Sequence, residues 1–251
     1  MGHLISSNIL LSSIKVIETK KDEFISIYYF FFHNKPQMTI WKLNQNNNKY
    51  EAITQIIGNS LYGILKLNKN EFVVLEYLEV GCNNYNEEKL VFRDLKKYKK
   101  IIEIEGISTS INNERRISLF YENMCLLSND ILCVVVNLSE ILLIKISTHE
   151  KINYFYNNYY GKLYSIYKFS NNNLIFFGAI ELERQRRPGK NNDIVTYKEC
   201  ILIYKYNKKE FVEISRYDTN YYTPIGIKYK NNLIISNEDN KLVAIKLNIN
   251  K

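Results

Sequence analysis

One unit recurs five times along this chain, and the recurrence restricts the fold more than any other feature. Its clearest copy runs from Lys162 to Glu181. There Leu163, Ile166 and Phe169 precede a Ser-Asn-Asn-Asn turn, and an apolar run from Leu174 to Ile180 follows it. Aromatic and β-branched residues on either side of a short polar turn mark two strands joined as a hairpin. Aligned on the residue after the turn, the copies begin at Phe24, Phe72, Ile131, Leu174 and Leu233, with spacings of 48, 59, 43 and 59 residues. A second anchor follows in each, at Trp41, Arg93, Ile144, Tyr204 and Ile245, inside segments such as Met-Thr-Ile-Trp41-Lys-Leu and Val-Ala-Ile245-Lys-Leu.

A third apolar segment lies upstream of every turn, at residues 14–17, 61–67, 119–127, 163–169 and 225–229. A fourth follows the second anchor in the first four units, at 50–57, 101–105, 152–156 and 211–214. Turn residues interrupt each apolar run too early for a helix. Four short strands repeated at a period of about 50 residues predict an all-β fold, a β-propeller of about five four-stranded antiparallel blades in one domain over 1–251. The blades fall near 12–58, 59–107, 117–157, 160–217 and 222–250. The last lacks its outermost strand, and residues 3–11 are expected to supply it and close the ring, because free sheet edges must be paired or covered. A segment of a longer propeller, or an open array needing a partner, is the alternative.

At the second anchors the units resemble the WD40-like propeller family, whose third strand reads apolar-x-apolar-Trp-Asp-apolar. Trp41 and Asp94 each match one half, whereas Lys42, Lys145, Lys205 and Lys246 stand where that Asp would be. The resemblance implies a non-catalytic scaffold that displays surfaces to protein partners, as a subunit of a larger complex.

The formal charge of +8 raises nucleic acid or an anionic membrane as partners. The basic residues are nonetheless interspersed with acidic ones along most of the chain, as on a solvated surface. Cys82, Cys125, Cys133 and Cys200 show no CxxC spacing, and Cys125 and Cys133 sit on apolar strands, which fits a reducing, intracellular setting, cytoplasmic or nuclear. No stretch approaches about 18 uninterrupted apolar residues, and the start lacks the basic region of a secretory signal. Gly2 followed by Ser6 matches the loose myristoylation pattern.

Function is sought where the repeats vary. The connections between the second and third strands span 17, 21, 13, 30 and 12 residues between anchors, and in repeat proteins such insertions gather on the binding face. The longest carries Arg184, Arg186, Arg187 and Lys190, whose guanidinium groups suit carboxylates or phosphates. It reads as an ordinary exposed loop, as a dock for an acidic protein, or as a nucleic-acid contact; RNA binding would want aromatics among the basic residues. Tyr85 in the second long connection, with Tyr221 and Tyr222, completes the candidate partner-binding set. The basic run Lys96-Lys-Tyr-Lys-Lys100 is expected to be a solvated turn on the opposite side.

Some five-bladed propellers hydrolyse sugars with paired carboxylates. The acidic candidates here are Glu18, Asp22, Glu76, Glu79, Glu181, Glu183, Asp218 and Glu238, no two of which form a motif. His3, His33 and His149 share no ligand spacing, so no metal or cofactor is expected. Trp41 is expected to be a packed aromatic between blades.

Overall fold

A computed structural model describes residues 14–28, 36–57, 60–80, 85–107, 123–136, 140–156, 161–170, 172–185, 194–218, 226–229, 232–236 and 242–246. The chain divides into two compact units, Met1–Gly106 and Ile107–Lys251. The first holds two sheets. β1 (Ile14–Lys20), β2 (Glu23–Tyr28), β3 (Pro36–Asn44) and β4 (Lys49–Ile57) pair in chain order, as do β5 (Ser60–Lys66), β6 (Glu71–Val80), β7 (Tyr85–Asp94) and β8 (Lys100–Ile104). In the second unit, β9 (Met124–Ser128), β10 (Ile131–Val136), β11 (Glu140–Lys145) and β12 (Glu150–Tyr156) form a third sheet. A fourth contains β13 (Gly161–Ser170), β14 (Asn173–Gln185), β15 (Ile194–Tyr206) and β16 (Phe211–Asp218). The fifth has three strands among the described residues, β17 (Gly226–Tyr229), β18 (Asn232–Ser236) and β19 (Leu242–Lys246). Residues 3–11, assigned from sequence to the missing place, lie outside the described residues.

In four of the five units the two sequence anchors are cross-strand partners. Phe24 faces Trp41, Phe72 faces Arg93, Leu174 faces Tyr204 and Leu233 faces Ile245. In the third sheet it is Leu132 that faces Ile144, so the alignment there shifts by one residue from Ile131. One hydrogen bond recurs two residues past the second anchor. The amides of Leu43, Leu95, Ile146 and Tyr206 donate to the carbonyls of Asp22, Asn70, Asp130 and Asn172 in the first turn, at 2.7–2.9 Å. It ties each first hairpin to the third strand.

Alternation about these anchors sends apolar side chains to both faces. In the first unit Ile25, Ile27, Met38 and Ile40 of the first sheet pack with Ile64, Phe72, Val74 and Val91 of the second. In the second unit Cys133, Val135 and Leu143 pack with Leu174, Phe176 and Leu202. The opposite faces, including Val73, Leu75, Leu90 and Phe92, or Ile175, Ile201 and Ile203, are buried as well. Trp41 does not conform to a purely apolar role, since its indole Nε1 donates to Ser26 Oγ at 2.8 Å while the ring stacks on Phe24, 6.0 Å away, within its own sheet.

Asn and Asp supply part of the turn chemistry, as a glycine-poor sequence requires. Asn44, Asn68, Asp94 and Asn207 each accept from a backbone amide two residues on. The turns into the fourth strands, however, place Asn48, Tyr98, His149 and Lys208 at positive φ, 54° to 75°. A left-handed conformation costs an L-residue about 1–2 kcal/mol, against about 0.5–1 kcal/mol of unfolded-state entropy for glycine. Lys208→Gly is therefore expected to stabilise the protein slightly, by about 0.5–1 kcal/mol; a lower urea midpoint would contradict this.

Each fourth strand also carries one bulge at the same place, opposite the second anchor. Ile53, Ile101, Ile152 and Ile214 are the extra residues, set between ladder partners of Ile40 and Trp41, Phe92 and Arg93, Leu143 and Ile144, and Ile203 and Tyr204. Their exposures are nearly equal, at 49%, 45%, 48% and 41%. A bulge twists an edge strand away from a flat ladder and so blunts strand addition.

Candidate interaction surface

The described part of the longest connection is a projecting two-stranded ribbon. β14 and β15 continue pairing past the point where β13 and β16 end, through Glu181 with Tyr197, Glu183 with Thr196, Arg184 with Val195 and Gln185 with Ile194. The alternation of Val195 and Tyr197 with polar residues sustains this ribbon, which the cluster of charges conceals in the sequence. A bulge at Leu182 leaves that side chain 58% exposed. Arg184 is spoken for locally: its Nε and Nη2 donate to the two carboxylate oxygens of Glu181, both at 2.9 Å. This fork holds the Glu181 carboxyl below its ordinary range. Arg184 thus braces the ribbon, while Arg186, Arg187 and Lys190 are outside the described residues.

The second long connection behaves alike. β6 and β7 run in register to Val80 and Tyr85, which take the last ladder position. The Tyr85 backbone is therefore at the tip of a hairpin in the first unit, and Arg184 on a hairpin of the second. Tyr221 and Tyr222 lie outside the described residues.

The turn at the other end of β7 is only partly solvated. Asp94 Oδ1 accepts from the amides of Lys96 and Lys97, at 2.8 and 2.6 Å, and those two lysines with Lys99 and Lys100 are exposed. Tyr98 turns inward. Its hydroxyl donates to Glu23 Oε1 at 2.6 Å, and Glu23, 4% exposed, also accepts from Thr19 Oγ1 and pairs with Lys20. Burial opposes ionisation of Glu23, but the bonds from Tyr98, Lys20 and Thr19 outweigh it and hold the carboxyl below its usual range. Burial and the facing Glu23 carboxylate push the Tyr98 phenol well above its ordinary value. Lys66 Nζ adds bonds to the carbonyls of Glu18 and Thr19, at 3.1 and 2.6 Å, so polar contacts join the two sheets of this unit beside their apolar core.

Several of the remaining carboxylates are paired. Glu76 pairs with Arg93 at 3.2 Å, and Lys89 reaches both Glu76 and Glu103, at 3.9 and 3.0 Å. Arg93, standing at a second anchor, also donates to the Tyr98 carbonyl. Glu183 accepts from Gln185, and Asp218 pairs with Lys198. Asp22 borders an open polar cleft of about 610 Å3 with Lys21, Lys42, Asn44 and Glu51. The Glu79 side chain and Glu238 are outside the described residues. Among the described residues no three His, Cys, Asp or Glu side chains gather as a metal site, and no helix is long and apolar enough to cross a membrane.

No protein-family model and no curated protein matches this sequence. Among solved structures, the WD40 β-propeller domain of Doa1 matches with a TM-score of 0.53, covering 90% of this chain and 60% of that one at 12% identity. The fold is that of a WD40-like β-propeller. The N-terminal domain of Nup159 also matches, with a TM-score of 0.50 over 93% of this chain and 60% of that one, again at 12% identity. This chain thus spans 60% of the length of either solved chain.

Proposed function

We propose that this WD40-like propeller is a non-catalytic scaffold that docks an acidic protein partner on the projecting β14–β15 ribbon. The observation that carries the reading is the ribbon itself. It extends a paired support beyond its sheet, with Leu182 exposed on a bulge and the Arg186, Arg187 and Lys190 cluster following in sequence. An exposed apolar side chain followed in sequence by arginines is the composition of a binding patch, since aromatic or aliphatic anchors supply burial and Arg supplies bidentate recognition of carboxylates. Local pairing of Glu76, Glu181, Glu183 and Asp218, with Arg93, Arg184, Gln185 and Lys198, suits structural roles better than a proton-shuttling pair. A single domain over 1–251, acting inside the cell as part of a larger complex, belongs to the same proposal.

The test is affinity capture by the tagged protein across a salt series, comparing wild type with the Arg186→Glu/Arg187→Glu double variant. The expected result is one protein partner retained at high salt by wild type and lost with the variant. Equal retention by the variant would exclude the ribbon. Recovery of RNA that washes off steeply with salt would instead place the basic surplus in nucleic-acid binding.

A further inference from the structure

Cys125 and Cys133 face each other across β9 and β10, at directly opposed ladder positions. Both are free, and both are buried in the core between the third and fourth sheets. The type of ladder position follows from a neighbouring bond. The Val135 amide donates to the Asn123 carbonyl at 2.9 Å, and Cys133 and Cys125 lie two residues along from that pair. They therefore occupy a hydrogen-bonded position, where opposed Cα atoms stand about 5.5 Å apart. That separation is inside the range of about 4.4–6.8 Å that a disulfide spans. Opposed Cβ atoms in a ladder lie about 4.5–5.5 Å apart, farther at hydrogen-bonded positions, and must draw in to about 3.8 Å, so the bridge would be strained and readily reduced.

We propose that Cys125 and Cys133 are a redox pair that closes to a reversible cross-strand disulfide after a transient opening of β9. With hydrogen peroxide as oxidant, one thiolate attacks the peroxide and becomes a sulfenic acid, releasing one water after proton transfer. The second thiol displaces its hydroxyl, forming the S–S bond and a second water. Two thiols are oxidised and one peroxide is reduced. Burial, followed by the facing Cys125, pushes the Cys133 thiol well above its ordinary pKa, so the closed strand pair is slow to react. β9 is five residues long and among the described residues its only ladder partner is β10, so it can part while β10 stays paired with β11; oxidation takes place while β9 is open and the bridge forms as it pairs again. Cys200 shares the core cluster but sits on β15 of the next sheet, opposite Gly178.

The experiment treats the full native chain with peroxide, blocks remaining thiols by alkylation after unfolding, and maps peptides cleaved at Asp130 with and without reductant. The expected result is a Cys125–Cys133 linked peptide, absent after reduction. Its rate of appearance should level off with rising peroxide, because opening of β9 becomes limiting. Full alkylation of both cysteines after long exposure would overturn the proposal, as would a bridge from either to Cys82 or Cys200. A rate that rises without limit would overturn the role of strand opening.

Discussion

Phe176→Ala is expected to lower stability by about 3–5 kcal/mol, the range for emptying a well-packed aromatic site. The ring is completely buried at the centre of the core shared by the third and fourth sheets. It meets Tyr204 edge-on at 5.4 Å and Phe211 at 6.4 Å, with interplanar angles of 87° and 89°. Phe211 in turn packs on Phe155 of β12, so removal of one ring loosens three neighbours on three strands. Val212, next in sequence but exposed, is the control, and its replacement by alanine should change stability by no more than about 0.5 kcal/mol. Urea midpoints shifted equally by the two substitutions would show that this core does not hold the second unit together.

The Glu23–Tyr98 contact carries the second large expected effect. A hydrogen bond to a charged, buried acceptor contributes about 1.5–3 kcal/mol, and Tyr98→Phe should cost that amount. Combined with Glu23→Gln, the loss should fall short of the sum of the two single losses, because the partners are coupled. The pH dependence has a defined sign on each side. Glu23 is more acidic when folded, so its contribution is present above the unfolded carboxyl pKa near 4.5 and declines as pH falls below it. Tyr98 is less acidic when folded, so its contribution is present below the unfolded phenol pKa near 10 and declines as pH rises beyond it. Urea midpoints across pH would show the wild-type curve falling on both flanks and the Tyr98→Phe curve with a shallower alkaline fall, the raised Cys133, Cys200 and Tyr206 groups supplying the rest. An alkaline fall retained in full by Tyr98→Phe would remove the contact from the account.

Much of the fold is legible in the residues because the repeat is written in strand chemistry. Phe24 and Trp41, or Leu174 and Tyr204, recur at matching places because they must face one another across a ladder. What escapes sequence reading is chemistry that composition disguises. The run around Tyr98 looks uniformly solvated because four lysines surround one aromatic, and only the fold brings Glu23, 75 residues away, to its hydroxyl. The β14–β15 ribbon reads as loop because charges interrupt the apolar pattern after Ile180, although the ladder needs only backbone partners and alternate apolar contacts on β15. The bulged isoleucines resemble ordinary alternating strand residues, and nothing local distinguishes an extra residue from a paired one.

The recurring bond between the first turn and the third strand has a kinetic consequence. Leu43 and Asp22 are 21 residues apart, Leu95 and Asn70 25, Ile146 and Asp130 16, and Tyr206 and Asn172 34. Every described ladder likewise joins strands consecutive in sequence. Each sheet can therefore complete its own pairing without waiting for a distant part of the chain, and loop closure stays inexpensive. Folding rate follows the locality of contacts. A protein built almost wholly of strands should thus form its sheets faster than β-sandwiches of equal size, with the slow events reserved for face-to-face packing between finished sheets.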